Sequence, residues 1–459
     1  MQPPAIDGHR RFFFIGVAGA GMSALAQFLR GLGLEVAGSD RGFRDGVADD
    51  TRDRLEQAGI HCRPQDDADI PAGTDCVVAS TAVEETVAQY RQALRDGIPV
   101  LRRSELLARI TERYRTIAIG GTSGKSTTTA MVFEILRHAG LSPSIISGAG
   151  LTSLIREGRI GNAHVGEGEW LVVEADESDG SIVRYHPEMG VLLNIDKDHK
   201  EVDELLQVFS TFLAHSRHFL VNRSQTLSAS LSSGQGIDFG LSEGEGVRYR
   251  ATDFHQEGFS ITFRVNGTPF RLQAIGSHNM ENALAAAAAA HVAGVPLATA
   301  AAALASYEGI HRRHQVLGRK GGTWVVDDYA HNPVKCARSI AACQPLADRV
   351  VAWLQPHGYG PTRFLRADFV REIAAVLRPQ DEIWMSEIYY AGGTAVKDIS
   401  AADLVADLQA MGARAFFLAD RSGLAEALRP RLQGDCVLLL MGARDPSLEE
   451  FARSVYKVL

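Results

Sequence analysis

Short apolar runs alternate with amphipathic stretches along most of the chain. Phe12-Phe13-Phe14-Ile15 is apolar at every position, the pattern of a strand buried on both faces. Ser23 to Leu32 spaces its apolar residues as a helix does, and Glu35 to Gly38 and Asp75 to Ser80 read as further strands. Strands alternating with helices predict a parallel, doubly wound sheet. Arg102 to Arg115, polar and arginine-rich, reads as a helical connection between domains. A second α/β unit opens at Thr116 to Ile119 and continues through Trp170 to Val173 and Val191 to Leu193. Residues 222–274 change character. They are Ser- and Gly-rich, then alternate strictly over Phe259 to Val265, and Asn266-Gly267 is the turn pair of a type I′ hairpin. This predicts a small antiparallel excursion. Ala283 to Ala290 has helix propensity at its strongest. After Gly318 a third α/β unit follows, with candidate strands Trp324 to Val326, Val350 to Leu354, Glu382 to Met385, Ala415 to Leu418 and Val437 to Leu440.

Length agrees with that division, since 459 residues at about 150 per domain make about three. The boundaries expected are 1–112, 113–315 and 316–459. The fold class expected is α/β throughout: a Rossmann-like first domain, a central P-loop ATPase-type domain carrying the excursion, and a Rossmann-like third domain. The net charge of −8 argues against nucleic acid or an anionic membrane as the main partner. Five scattered cysteines without CxxC spacing form neither a disulfide framework nor a zinc site and fit a reducing compartment. The run Phe12 to Val17 is too short for a signal sequence, so a cytoplasmic location without membrane insertion is expected.

Chemistry concentrates at predicted strand ends. Gly120-Gly121-Thr122-Ser123-Gly124-Lys125-Ser126-Thr127 lies between a strand and a helix. Glycines let the backbone wrap phosphates, and its N–H groups join the helix N-terminus in holding negative charge. In such a loop Lys125 neutralises β- and γ-phosphates and Ser126 ligates Mg²⁺. The general Walker pattern has Gly where Ile119 stands, so the loop is a variant. Glu174-Ala175-Asp176-Glu177-Ser178-Asp179 ends the next strand, which places Glu174 to act on Mg²⁺ directly or through a neighbour. Asn194-Ile195-Asp196-Lys197-Asp198-His199 ends another, with His199 as candidate second metal ligand. The first domain opens with Gly16-Val17-Ala18-Gly19-Ala20-Gly21-Met22, followed at the end of its second strand by Asp40. That loop suits the pyrophosphate of NAD or of a nucleotide sugar equally. Ser277 to Asn282, His311 to Gln315 and Asp327 to Pro333 are charged or polar clusters near the second junction, and structural and site-closing roles are both open for them.

The order of these segments resembles the Mur ligase family, enzymes that build the peptide stem of bacterial peptidoglycan. The resemblance covers essentially the whole chain. It implies an ATP-dependent ligase in which the first domain binds UDP-N-acetylmuramate through Gly16, Gly19, Gly21, Met22 and Asp40. Gly121 to Thr127 hold ATP, Ser126, Glu174 and His199 hold Mg²⁺, and Lys125, Glu174, His199 and Asp328 serve the chemistry. Asn282, Arg313, Asp328 and His331 complete the ATP site. Gln355-Pro356-His357 looks like the branch of the family that adds L-alanine, with His357 near the incoming small amino acid. The carboxylate is expected to attack the γ-phosphate to give an acyl phosphate, which the amino group then opens.

Departures from that branch are local. Ser123 stands where it usually has His, Ser126 where it has Thr, Gly358 where a basic residue follows the His, and Gly393 where an acidic residue is usual. Residues 201–219 contain no lysine, so the carbamylated lysine of some relatives is not expected. Three other readings compete with alanine addition: a recycling ligase that attaches a preformed peptide, a nucleotide-binding scaffold without catalysis, and an NAD-dependent oxidoreductase. The last leaves the phosphate loop of the second domain without a purpose.

Overall fold

The computed structural model describes residues 5–44, 46, 48–65, 69–80, 83–178, 180–197, 200–390, 392 and 395–459. Its first sheet is parallel throughout, in the order His61–Pro64, Glu35–Asp40, Arg11–Ile15, Cys76–Ala79, Val100–Arg102. Phe12 to Ile15 are fully buried because helices cover both faces of this central strand. The chain winds one way from Arg11–Ile15 to Glu35–Asp40 and the other way to Cys76–Ala79. The crevice beyond the carboxyl ends of such strands is where ligands enter open α/β sheets.

The second sheet repeats the arrangement around Arg115–Gly120, which lies between Met189–Leu192 and Trp170–Glu174. Beside Trp170–Glu174 runs Ser144–Ile146, edged by the antiparallel Ala163–His164; His218–Val221 forms the other edge. The fourth sheet places Cys436–Gly442 between Thr323–Asp328 and Arg349–Gln355. Each α/β unit therefore has one switch point.

The excursion is the third sheet, Asp238–Gly240, Val247–Glu257, Ser260–Val265 and Thr268–Leu272. Three of its strands are antiparallel, and Asn266 (φ 46°) and Gly267 (φ 82°) make the expected hairpin turn. The first pair corrects the expectation, because Asp238–Gly240 runs parallel to Val247–Glu257. That short strand continues the second sheet through the parallel bridge Asn222 to Phe239, so its direction is set by the neighbour it extends. Arg102 to Arg115 holds the helix Arg103–Thr111, which links the first sheet to the second and buries Leu106, Leu107 and Ile110 in a core.

One apolar cluster runs without a break from Phe14, Phe28 and Leu106 in the first unit to Ala163, Val173 and Phe209 in the second. Asn162 adds polar stitches across the same seam, donating to Ala20 O (2.9 Å) and Ser23 Oγ (3.0 Å) and accepting from Gln27 (2.7 Å). The third unit has its own two clusters, joined from the central unit by Ile275. Further ties include Phe259 against Trp324 (centroids 4.8 Å apart), Gln256 to Ala342 O (3.1 Å) and Lys197 over the Phe364 ring (4.2 Å). Strand Gln315–Lys320, the antiparallel edge of the fourth sheet, spans the junction expected at 315/316. No helix among the described residues is long and apolar enough to cross a membrane, and all five cysteines are free thiols.

Candidate active site

The phosphate loop leaves the central strand of the second sheet at Gly120 and enters helix Lys125–His138. Gly124 (φ 84°) caps that helix, and a Cβ there would lie 2.4 Å from Asn282 Oδ1. Only glycine meets both demands. Asn194 stitches the loop down from the neighbouring strand end. Its Oδ1 accepts from Thr122 Oγ1 (2.9 Å) and Ser123 N (2.8 Å), and its Nδ2 donates to Ser123 O (3.0 Å). The Asn194 carbonyl also accepts from Thr122 N (3.2 Å). The loop is thereby fixed, and the positive end of its helix faces the cleft.

Lys125 bends back over the loop. Its Nζ donates to Gly121 O and to Glu177 Oε2, both at 2.7 Å. Burial works against its charge, but Glu177, Asp176 and Glu174 outweigh that effect and hold its pKa above the ordinary value. Burial likewise opposes ionisation of Asp176, yet Lys125 and the N–H of Ser178 keep its carboxyl below the usual range. Glu174 is oriented from the adjacent strand end: Oε1 accepts from Ser147 Oγ (2.8 Å) and Gly148 N (2.9 Å). Among the described residues no group of three or more His, Cys, Asp or Glu is disposed to hold a metal. His199, like Asp198 beside it, lies outside the described residues.

The facing wall belongs to the third unit. Asp328 ends strand Thr323–Asp328, and its carboxylate accepts from His314 N and Ala330 N, each at 2.7 Å. Arg312 grips the adjacent Asp327 in a two-pronged pair (2.9 and 3.1 Å) and reaches Gly442 O (3.1 Å). Arg312 (φ 54°) and His314 (φ 47°) both adopt left-handed backbone, so the strand-entry turn is strained and held by these bonds. Between them Arg313 lies over the Tyr329 ring, 4.7 Å from its centroid. His331 is tied to Tyr329 O (2.8 Å), and its ring stands 5.3 Å from that of His357. Burial, helped by Lys335, His357 and Arg313 and opposed by Tyr329 O, drives the His331 pKa well below 6.5. His278, pressed 5.3 Å from His314, is lowered in the same way by burial, His314 and Arg338.

The two walls enclose a cleft of about 550 Å³. It brings together Thr122 to Thr127, Glu174, Asn282, Arg313, Asp328 and His331 from five separate stretches of sequence. Gly121 lies behind the loop, where a Cβ would touch Leu193 (3.1 Å). His357 is outside the cleft lining and touches it through His331. The first-unit residues Gly16, Gly19, Gly21, Met22 and Asp40 are separate from it. Both carboxylate oxygens of Asp40 are engaged by backbone, Oδ2 by Ala18 N (3.0 Å) and Oδ1 by Gly42 N (2.9 Å), so Asp40 shapes the glycine loop. Gly21 packs against Arg103, whose charge also acts on Asp176. That arginine stands between the first loop and the acidic strand end.

Sequence reasoning passed over Glu177, Asn194 and Ser147. Glu177 and Asn194 stood inside motifs already singled out, and a strand-end amide or acid beside the loop was the available signal. Ser147 had none, since a Ser-Gly turn is common.

Three family models match in order: "Mur ligase family, catalytic domain" at residues 11–115, "Mur ligase middle domain" at 119–290, and "Mur ligase, glutamate ligase domain" at 312–444. With this fold and this cleft they define an ATP-dependent, amide-bond-forming ligase. A UDP-N-acetylmuramate–L-alanine ligase of Geobacter sulfurreducens is 34% identical over 94% of each chain. Another from Xanthomonas euvesicatoria is 36% identical over 95% of this chain and 93% of its own. The chain belongs to the Mur ligase family. Its fold matches the crystal structure of a UDP-N-acetylmuramate-alanine ligase from Thermotoga maritima with a TM-score of 0.79 at 24% identity, covering 98% and 99% of the two chains. A murein peptide ligase from Psychrobacter arcticus matches at 0.69 and 20% identity, over 98% of each chain.

Proposed function

We propose that the protein joins L-alanine to UDP-N-acetylmuramate at the expense of ATP, in peptidoglycan synthesis. The observation that carries this reading is the near full-length likeness, at 34–36% identity, to relatives named for that reaction. ATP lies in the cleft between the second and third units, its β- and γ-phosphates on the N–H groups of Gly121 to Thr127 and on Lys125. Asn282, Arg313, Asp328 and His331 close the site from the facing side. The UDP of the sugar nucleotide sits on Gly16, Gly19, Gly21 and Met22, with Asp40 holding that loop in shape. His357 receives the amino acid.

Ser126 and Glu174, with His199, would hold Mg²⁺. A hydroxyl and a carboxylate with one oxygen already oriented are the hard oxygen donors this ion takes, with phosphate and water filling the remainder. When bound, Mg²⁺ neutralises phosphate charge. The sugar-linked carboxylate attacks the γ-phosphorus, the bond to the β-phosphate oxygen breaks, and ADP leaves with the electron pair. The amine of alanine then attacks the acyl carbon, inorganic phosphate leaves, and the nitrogen loses a proton. Lys125 lowers the repulsion between carboxylate and triphosphate by following the charge from Glu177 to the phosphates. Water would destroy the acyl phosphate, so closure of the third unit over the second shields it. ATP, the nucleotide sugar and five free thiols support a cytoplasmic location.

A panel of amino acids with UDP-N-acetylmuramate and ATP, read by phosphate release, tests the reading. Release with L-alanine is expected. Preference for a tripeptide would replace it with the recycling reaction, and no release with any acceptor would overturn it.

A further inference from the structure

The loop that follows the innermost strand of the fourth sheet presents one arginine in an unusual way. Strand Cys436–Gly442 ends, and Asp445 N bonds back to Ala443 O (2.9 Å) around Arg444, whose φ is 70°. A three-residue turn of this hand is rare and strained for a residue with a Cβ. Its neighbours hold it in place. Gly442 O accepts from Arg312 (3.1 Å), and Asp445 is bound by Arg421 and by the N–H and hydroxyl of Ser447. A backbone strained and clamped on both sides presents its side chain for a purpose other than packing. The guanidinium of Arg444 is exposed, lines the cleft, and makes no hydrogen bond or ion pair among the described residues.

Strand order places this charge. Gly442 is in register with Gln355 on one side, and Met441 with Asp328 on the other. Two residues past Gln355 comes His357, and three past Asp328 comes His331. Arg444 therefore emerges between the strands that carry these two imidazoles, whose rings are 5.3 Å apart. Three cations on the elements that follow His357 and Gln355 are already committed: Arg363 to Asp398 and Val396 O, Arg421 to Asp445 and Gln355, and Lys397 over the rings of Tyr390 and Tyr359. The position directly after His357 is Gly358, which brings no charge.

We propose that Arg444 binds the α-carboxylate of the incoming amino acid and so selects an amino-acid acceptor over a neutral amine. The inference rests on the alanine-adding reading above. Its chemistry follows from charge. An amino acid approaching an acyl phosphate brings a carboxylate toward a group of the same sign. A planar guanidinium neutralises that carboxylate and fixes its direction with two parallel hydrogen bonds, which leaves the amine pointing at the acyl carbon. The triphosphate, by contrast, has its donors on the opposite wall, in the loop of Lys125.

The test compares L-alanine with L-alaninamide, whose carboxylate is replaced by a neutral amide, in the wild type, Arg444→Gly and Arg444→Lys. Glycine relieves the left-handed strain, so loss of activity in that variant is not loss of fold. The expected result for Arg444→Gly is a KM for L-alanine raised by roughly tenfold to a hundredfold, with the KM for ATP and the wild-type-to-variant ratio for L-alaninamide both near unity. Arg444→Lys recovers part of the loss. A rise in the KM for ATP instead, an equal loss with both acceptors, or no change would overturn the proposal while wild-type turnover with L-alanine upholds the underlying reading. A wild type inactive with L-alanine would overturn both.

Discussion

Lys125 Nζ donates to Glu177 Oε2 across 2.7 Å, so the lysine of the phosphate loop already holds a carboxylate before any phosphate arrives. Glu177 is almost completely buried, and Lys125 is the cation that pairs with its charge. Phosphate must therefore compete with it. Lys125→Ala is expected to reduce phosphate release by roughly a thousandfold. Glu177→Gln removes the competitor and is expected to tighten ATP binding by about fivefold, the scale of one charged hydrogen bond. Calorimetric titration with a non-hydrolysable ATP analogue measures the second effect; weaker binding in Glu177→Gln would show that Glu177 helps hold the nucleotide.

Ser147 orients Glu174 without touching the cleft centre. Ser147→Ala is expected to raise the Mg²⁺ concentration needed for half-maximal phosphate release by roughly tenfold, as loss of an outer partner does at metal sites. An unchanged Mg²⁺ dependence would remove Glu174 from the metal site.

Gly124 and Gly33 share left-handed backbone, φ 84° and 83°, but a Cβ meets Asn282 at 2.4 Å in the first case and nothing within 4 Å in the second. Gly33→Ala is expected to cost about 1 kcal/mol of stability in thermal or denaturant unfolding and to leave ATP binding intact. Gly124→Ala adds the collision to the same backbone strain and is expected to abolish ATP binding. Equal binding by the two variants would show that Asn282 gives way.

His278 and His331 are buried with pKa values held well below 6.5. Their unfolded forms take up protons first as pH falls. The stability these histidines contribute is complete above about 6.5, is lost as pH falls from there toward their folded pKa values, and falls no further below those values. Unfolding midpoints measured between pH 8 and 5 should drop, and the double variant His278→Gln/His331→Gln should drop less. Parallel curves would exclude these two residues as the source.

The α/β units, the phosphate loop and the acidic strand end were legible because apolar strand patterns, glycine spacing and strand-end acids follow from backbone geometry alone. Short polar strands were not. His61–Pro64 and Gln315–Lys320 carry little apolar pattern, since each is an edge strand with few positions to bury. The role of Asn194 is hidden from the sequence, because a stitch between two strand ends is a relation between residues 71 apart, invisible to local pattern. Asp40 was read as a substrate contact from its distance along the chain; its carboxylate is spent on the loop itself.

The seam from Phe14 and Phe28 to Val173 and Phe209 also bears on how the chain is made. The first unit leaves the ribosome before strand Trp170–Glu174 exists, and until then the face it turns to that strand has only water to meet. Burial of that face waits for the central sheet, so a first unit moved alone between relatives carries an unmatched apolar surface. Any transplant must carry the matching apolar face of its neighbour. The third unit packs on clusters of its own, yet it brings Asp328 and His331 into the cleft, so an exchange of that unit must keep the strand end that completes the shared wall.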